Sequence, residues 1–280
     1  MSLPRLTDPD ALSRNRIRAA RNTPADFLRV EAAEVLAERL IEVNRTFTSP
    51  ALVTAFPDDF ATLAAGGTIV PDTDPLALSP GAHDLVIHAF GLHWADDPLG
   101  QIIQARRALC PDGLFLAVLL GGTTLNELRA VLAEAETKLT GGLSPRVAPM
   151  ADLRDLGGLL QRAGLALPVA DTLTLRASYR DIYSLGRDLR AMAEGNALAD
   201  RQRKPAKRAL FELAQSLYQT HFPAEDGRLQ ATFELVFLTG WAPDDSQPQP
   251  LKPGSAQTSL ADALRLPDDA PNRSNARGSD

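Results

Sequence analysis

The side chains able to do chemistry are few and scattered in this sequence. His93 and Trp94 follow the apolar run from Asp84 to Phe90 after two intervening residues. If that run is a parallel strand, the pair stands at its carboxyl end, where open α/β sheets bind their ligands. His93 would then act as an acid or base, or hold a substrate. The preferred reading is structural, with Trp94 covering the sheet end and His93 bonded to a loop carbonyl. His83 falls in a turn and His88 in a strand, and neither has a partner at metal-ligand spacing. No metal is expected. Asp58 and Asp59 are helix neighbours that do not face one another, so they read as solvated. Cys110 lacks a second cysteine or a basic cluster that would activate it. Tyr179, Tyr183 and Tyr218 face a substrate if their segment covers the sheet end, and pack into a core if it does not.

The elements that must position these residues follow from periodicity. Thr23 and Pro24 read as the start of a helix reaching Val43, carried by Leu36, Leu40 and Val43. Ala51 to Ala55 and Thr68 to Val70 are short strands, with a helical turn over Asp58 to Ala65 between them. Asp84 to Phe90 and Leu114 to Leu120 are near-continuous apolar strands, the pattern of a parallel sheet covered on both faces. A helix from Pro98 separates them. Thr124 and Glu127 read as a capping box for a helix stepping through Leu125, Leu128, Leu132, Ala135 and Leu139. A helix through Leu153, Leu156 and Leu160 follows, stopped at Gly164. Then come a strand over Leu167 to Arg176, helices marked by Leu185 and Leu213, and a last strand from Thr232 to Trp241. Strands alternating with helices predict an α/β, doubly wound, mostly parallel sheet.

Composition limits the partners. The chain carries 29 basic and 35 acidic residues, a formal charge of −6. That excess of acid argues against a general nucleic-acid binder. The single cysteine excludes a disulfide framework. The run Leu114–Leu120 is far shorter than the roughly 20 residues that span a bilayer, so no transmembrane segment is expected. No secretory leader is recognisable, which makes the cytoplasm the expected location. Residues 1–22 form a basic arm in which Arg14, Arg16, Arg18 and Arg21 mark a solvated face or a contact for an anion or partner. A second basic patch, Arg201, Arg203, Lys204, Lys207 and Arg208, has the same two readings. From residue 243 the sequence is too poor in apolar residues to order itself, and a mostly disordered tail is expected.

Several segments carry a resemblance. Leu92-His93-Trp94-Ala95-Asp96-Asp97 after an apolar strand, and Leu109 to Gly113 before another, resemble class I S-adenosylmethionine-dependent methyltransferases. Gly121 to Arg129, Gly141 to Pro145, Asp155 to Leu160, Asp188 to Asn196 and Pro253 to Ala256 are similar to the methyltransferase-like assembly factor of respiratory complex I and its bacterial relatives. The malonyl-carrier-protein methyltransferase of biotin synthesis is a more distant likeness. The resemblance implies a Rossmann-like domain over residues 23–242, an antiparallel last strand and a helical insertion at about 177–228. It implies S-adenosylmethionine as cofactor and a respiratory-chain subunit or other protein as partner. It implies Asp72 and Leu76 at the adenine end, and Ala89 and Phe90 beside the methionine half. His93, Trp94, Tyr183 and Tyr218 become candidates for the cleft, with His93 the catalytic candidate. In the eukaryotic relatives the fold is associated with arginine hydroxylation.

Against that pattern, the loop after the first strand is out of place. Glycines are needed there so that the backbone can turn tightly against the cofactor. The matching stretch, Ala51 to Asp58, contains none, and no glycine precedes Gly66. Phe56 adds bulk and Pro57 removes an N–H donor. Gly67 to Asp72 matches the third strand and its end, leaving no sequence for the second strand, its helix and its ribose-binding acid. One strand–helix unit is therefore expected to be missing. Two functions follow: a fold retained for acting on or assembling a protein partner without methyl transfer, or an active methyltransferase on a small molecule or carrier protein.

Overall fold

The computed structural model describes residues 5–21, 25–224 and 226–248. The chain divides into a unit from Met1 to Asp245 and a second from Ser246 to Asp280. The site lies in the first. The proposed helix start at Thr23–Pro24 and the tail from 249 onward fall outside the described residues.

The first unit is built on a six-stranded sheet in the order β2-β1-β3-β4-β6-β5. Its strands are β1 (Pro50–Thr54), β2 (Thr68–Val70), β3 (His83–Ala89), β4 (Leu109–Leu120), β5 (Ala166–Tyr179) and β6 (Leu229–Trp241). β1, β2, β3 and β4 pair in parallel, whereas β6 runs antiparallel to both β4 and β5. β2 lies directly against β1, with Val53 opposite Val70. No strand intervenes between them, so the edge of the sheet has closed over the missing unit.

Side chains on a strand alternate between faces, and both faces here are covered. Leu52, Leu85, Ile87, Leu116 and Val118 join one core with α2 (Phe27–Val43), α5 (Asn126–Thr140), α7 (Ile182–Ala191) and α8 (Arg208–His221). Ala51, Val53, Val86, Phe115 and Ala117 face the other core, under α4 (Pro98–Ala108) and α6 (Leu153–Arg162). Emptying a fully buried aromatic position such as Phe115 would cost about 3–5 kcal/mol.

Two local readings are corrected. Thr124 and Glu127 do not form a capping box. The helix begins after Leu125, whose backbone is left-handed (φ 54°). Thr124 instead donates its hydroxyl to the Gly121 carbonyl and accepts the Glu234 N–H, and Glu127 accepts from the Thr232 hydroxyl. Strand β6 runs past this corner and supplies stronger partners than the helix's own first turn. A capping box does occur at α7, where Asp181 and Ser184 exchange bonds. Asp59 is not solvated either, since it pairs with Arg29 of α2.

The basic arm contains a helix, α1 (Pro9–Ala19), capped by Asp8, whose side chain accepts the Ala11 N–H. Leu6 and Thr7 donate their N–H groups to Asp96, and the Thr7 hydroxyl donates to the Trp94 carbonyl. Asp8 also pairs with Arg201 and Arg203, so part of the second basic patch is committed to holding the arm. Arg201 beside Asp8 holds that carboxyl below the usual range. Asn15 adds a bond to the Gly195 carbonyl.

Candidate functional site

Strand β2 lies to one side of β1 and β3 to the other. That reversal opens a crevice outside the carboxyl ends of the two strands, where ligands bind in this kind of sheet. Thr54, Ala89 and Val118 are in register at this end.

The loop leaving β1 is a plug. Phe56 donates its N–H to the Thr54 hydroxyl, and Pro57 at once begins the four-residue helix α3 (Pro57–Phe60). The buried Arg29 guanidinium lies 4.5 Å from the centre of the Phe56 ring and pairs with Asp59. Cation–π contact and ion pair together fix the loop in a compact form. A backbone that must lie flat against a ligand has neither the glycines nor the free N–H groups here.

At the end of β2, Asp72 is closed off from the other side. Arg16 of α1 grips its carboxylate with two bonds of 2.8 and 2.6 Å, and the Asp72 side chain is only 3% exposed. Gly91 makes this packing possible, because a Cβ there would fall 2.6 Å from Asp72 Oδ2 and 2.7 Å from the His88 ring. Gln101 donates its amide to the Asp72 carbonyl and accepts from His88 Nε2–H at 2.8 Å. His88 is completely buried, and burial pushes its imidazole pKa down despite the bond it donates to Gln101.

His93 and Trp94 sit in a 3₁₀ turn, Leu92–Trp94, just beyond β3. Both meet Glu194. His93 Nε2 lies 3.2 and 3.3 Å from its two oxygens, and Trp94 Nε1 donates at 2.9 Å. His93 and Glu194 side chains are 2% and 7% exposed. The His93 ring also meets Phe90 edge-on. This cluster forms part of the wall of a mostly apolar cavity of about 380 Å³, which includes Trp94, Leu120, Leu128, Leu189 and Glu194. A second cleft of about 420 Å³ lies beside Phe56, Pro57 and Asp58. Helix α1 lines both, with Asn15 and Arg18 on the first and Arg16, Ala19 and the capping Ala20 on the second.

The structure thus brings Trp94 and Glu194 to the cavity wall, with His93 buried behind them on Glu194, and sorts the other candidates. Ala89 is buried at the end of β3. Phe90 is buried against Phe60, 6.0 Å between ring centres, with a left-handed backbone (φ 55°) that is costly for a bulky residue. Leu76 turns into the opposite core, and its N–H donates to Gln104. Tyr183 is 43% exposed and leans on Phe211. Tyr218 is not a cleft residue: it is buried in the core and its hydroxyl donates to the Gln230 carbonyl at 2.8 Å. Burial also pushes the Tyr218 hydroxyl well above its ordinary pKa. Tyr179 ends β5 with its hydroxyl buried. Glu194 and Arg16 were not singled out for these roles. Glu194 lies within the Asp188–Asn196 stretch that carried the resemblance, and Arg16 within the arginine run. No group of three His, Cys, Asp or Glu able to hold a metal occurs among the described residues.

The residues present do not fit S-adenosylmethionine in the arrangement the resemblance implies. The carboxylate meant for adenine is taken by Arg16, the loop for the methionine half is plugged, and no second strand supplies a ribose-binding acid.

Fold and site together define an α/β protein of the methyltransferase-like kind whose N-terminal helix packs over the end of β2 through Arg16 and Asp72. The chain is 30% identical over 267 residues to a zebrafish (Danio rerio) protein named "Arginine-hydroxylase NDUFAF5, mitochondrial", covering 86% of this chain and 83% of that one. A rat (Rattus norvegicus) protein of the same name is 36% identical, covering 71% of this chain and 58% of the relative. The chain belongs to this NDUFAF5 family. It is also 32% identical to a malonyl-[acyl-carrier protein] O-methyltransferase of Laribacter hongkongensis, over 64% of this chain and 58% of the relative. A crystal structure of a Bacillus halodurans protein described as a "putative methyltransferase" aligns with a TM-score of 0.48 at 14% identity, over 75% of this chain and 99% of that one. No family profile matches the chain.

Proposed function

We propose that this protein acts on or assembles a protein partner, a respiratory-chain subunit being the expected one, and does so without methyl transfer from S-adenosylmethionine. The observation that carries this reading is the Arg16–Asp72 pair, which satisfies inside the chain the carboxylate a nucleoside would need. The relatives' names point to arginine as the target side chain. The cavity at Trp94 suits such a group. Its apolar walls match an aliphatic stem, and Glu194, the one carboxylate among the described lining residues, which also include Arg18, Arg146 and Arg190, is the group that complements a guanidinium; His93 and Trp94 hold it in one orientation. A cytoplasmic location is part of the proposal only: the relatives are named mitochondrial, and no helix among the described residues is long and apolar enough to cross a membrane.

Calorimetric titration of the full chain with S-adenosylmethionine tests the first half. No micromolar binding is expected, and a micromolar Kd would establish the alternative, an active methyltransferase on a small molecule or carrier protein. Affinity capture from the native cell tests the second half. Recovery of respiratory-chain subunits is expected, and their absence sinks the assembly reading.

A further inference from the structure

The arginine run of α1 divides into two functions. Arg16 turns inward to Asp72, while Arg14, Arg18 and Arg21 stay exposed on the outer side. With Ile17, which is 51% exposed, these three recur at the spacing i, i+3, i+4, i+7, Arg21 lying in the turn that closes α1, and form one stripe. The four residues alone line a shallow depression of about 370 Å³. Arg18 also lines the Trp94 cavity, as does the exposed Arg190 of α7. Arg14, Arg21 and Arg190 have no carboxylate partner among the described residues. No acidic residue occurs between Ala11 and Ala25, although the whole chain carries more acid than base.

We propose that this cationic collar docks an acidic segment of a protein partner, placing the partner's neighbouring side chain at the mouth of the Trp94–Glu194 cavity. The second half rests on the proposed function; the docking surface does not. Charge complementarity selects the occupant. A stripe of two helical turns is about 10 Å long, which matches about three residues of an extended chain. Its arginines are a residue type enriched at protein interfaces, and Ile17 gives an apolar contact at their centre. A nucleic acid would need a wide basic face, and the acidic body around this narrow stripe repels a long polyanion.

Fluorescence anisotropy with the full chain and three short labelled peptides tests this. One has a central arginine with Asp and Glu flanks, one the same centre with Asn and Gln flanks, and one acidic flanks with a central alanine. At low salt the acidic flanks should tighten binding about tenfold, from about three rim pairs of modest strength each. High salt should remove the advantage. The double variant R14E/R21E should abolish it while leaving the neutral-flanked peptide's affinity unchanged. R14Q/R21Q should give an intermediate loss and serves if the reversal unfolds the chain. Equal binding of acidic and neutral flanks overturns the docking surface while leaving the cavity reading standing. Binding of the alanine-centred acidic peptide that depends on Arg14 and Arg21 supports the surface even if the cavity reading fails. Failure of every acidic peptide to bind overturns it. So does tighter binding of a single-stranded RNA or an anionic phospholipid vesicle of matched charge.

Discussion

Replacing Arg16 by methionine keeps most of the side-chain stem but removes the charge that faces Asp72. The carboxylate is then left almost sealed from water, at 3% exposure, with no cation against it. Removing one partner of a buried pair costs about 3–5 kcal/mol, because the remaining charge is neither solvated nor compensated. Arg16 is itself 21% exposed, so water can enter where the guanidinium was. We therefore expect R16M to cost about 2–3 kcal/mol, at the lower end of that range or below it. D72N preserves the shape and leaves a cation that can turn toward solvent, so it should cost about 1 kcal/mol. The double variant R16M/D72N removes both charges together and should be more stable than R16M alone. The coupling in this cycle should reach about 1–2 kcal/mol. Urea unfolding measures it, as shifts of midpoint at constant slope. In a thermal scan R16M should lower the Tm by roughly 4–12 °C, at about 2–4 °C per kcal/mol for a domain of this size. A coupling below about 0.5 kcal/mol would refute the reasoning, since that is the strength of an exposed pair. Calorimetry on R16M adds a functional reading. If S-adenosylmethionine then binds with micromolar affinity, the arginine alone was excluding it, and the plugged loop is not the barrier we take it to be.

Three further outcomes are expected. F56G/P57G should not create S-adenosylmethionine binding by calorimetry, because Asp72 is still held by Arg16 and no ribose-binding acid is present. Glu136 accepts from Arg146 and Ser144, which hold its carboxyl down to about 2 from the 4.5 of the unfolded chain. Its contribution is complete above pH 4.5 and is lost as pH falls toward about 2, so E136Q should flatten the acid side of a urea-stability profile in that window. His88 has the same sign for a different reason. Burial holds its folded pKa below the unfolded 6.5, so stability present above pH 6.5 declines as pH falls below it. H88Q should lower stability at pH 8 and weaken that decline in the same assay.

Apolar pattern made the framework legible. The runs at Asp84–Phe90 and Leu114–Leu120 are the two central strands because only strands covered on both faces need such continuous hydrophobicity. The loss of a strand–helix unit was legible once the chain was set against the pattern the resemblance implies, since too few residues lie between Ala51 and Asp84 for the full set of units. The site was only half legible. A carboxylate such as Asp72 can be placed at a strand end by local sequence, but its partner Arg16 is 56 residues away on an arm whose docking depends on Asp96, Trp94 and Gly195. Thr124 and Glu127 misled for the same reason: a local motif was overridden by β6, more than 100 residues downstream. Tyr218 could not be assigned between core and cleft until the position of α8 over β6 was known.

The closed cofactor end is best understood as one coupled change. With β2 directly against β1, no second strand stands to carry a ribose-binding acid, and Asp72 lies beneath α1. A carboxylate buried there needs a cation or several donors, because an unpaired buried charge is too costly to keep. In a nucleoside-binding fold an adenine amine would supply a single neutral donor. Arg16 supplies two charge-assisted bonds in a planar fork, which is the stronger arrangement. An incoming nucleoside would therefore have to displace a better partner, undock part of a helix held at Asp96, Trp94 and Gly195, and then lie against a loop fixed by Arg29. None of these steps returns an interaction of equal strength. The helix that closes the nucleoside end also lines the Trp94 cavity through Asn15 and Arg18 and presents the cationic stripe outside. The packing of one side of α1 thus gives its other side a fixed wall, as the proposed docking of a protein segment calls for.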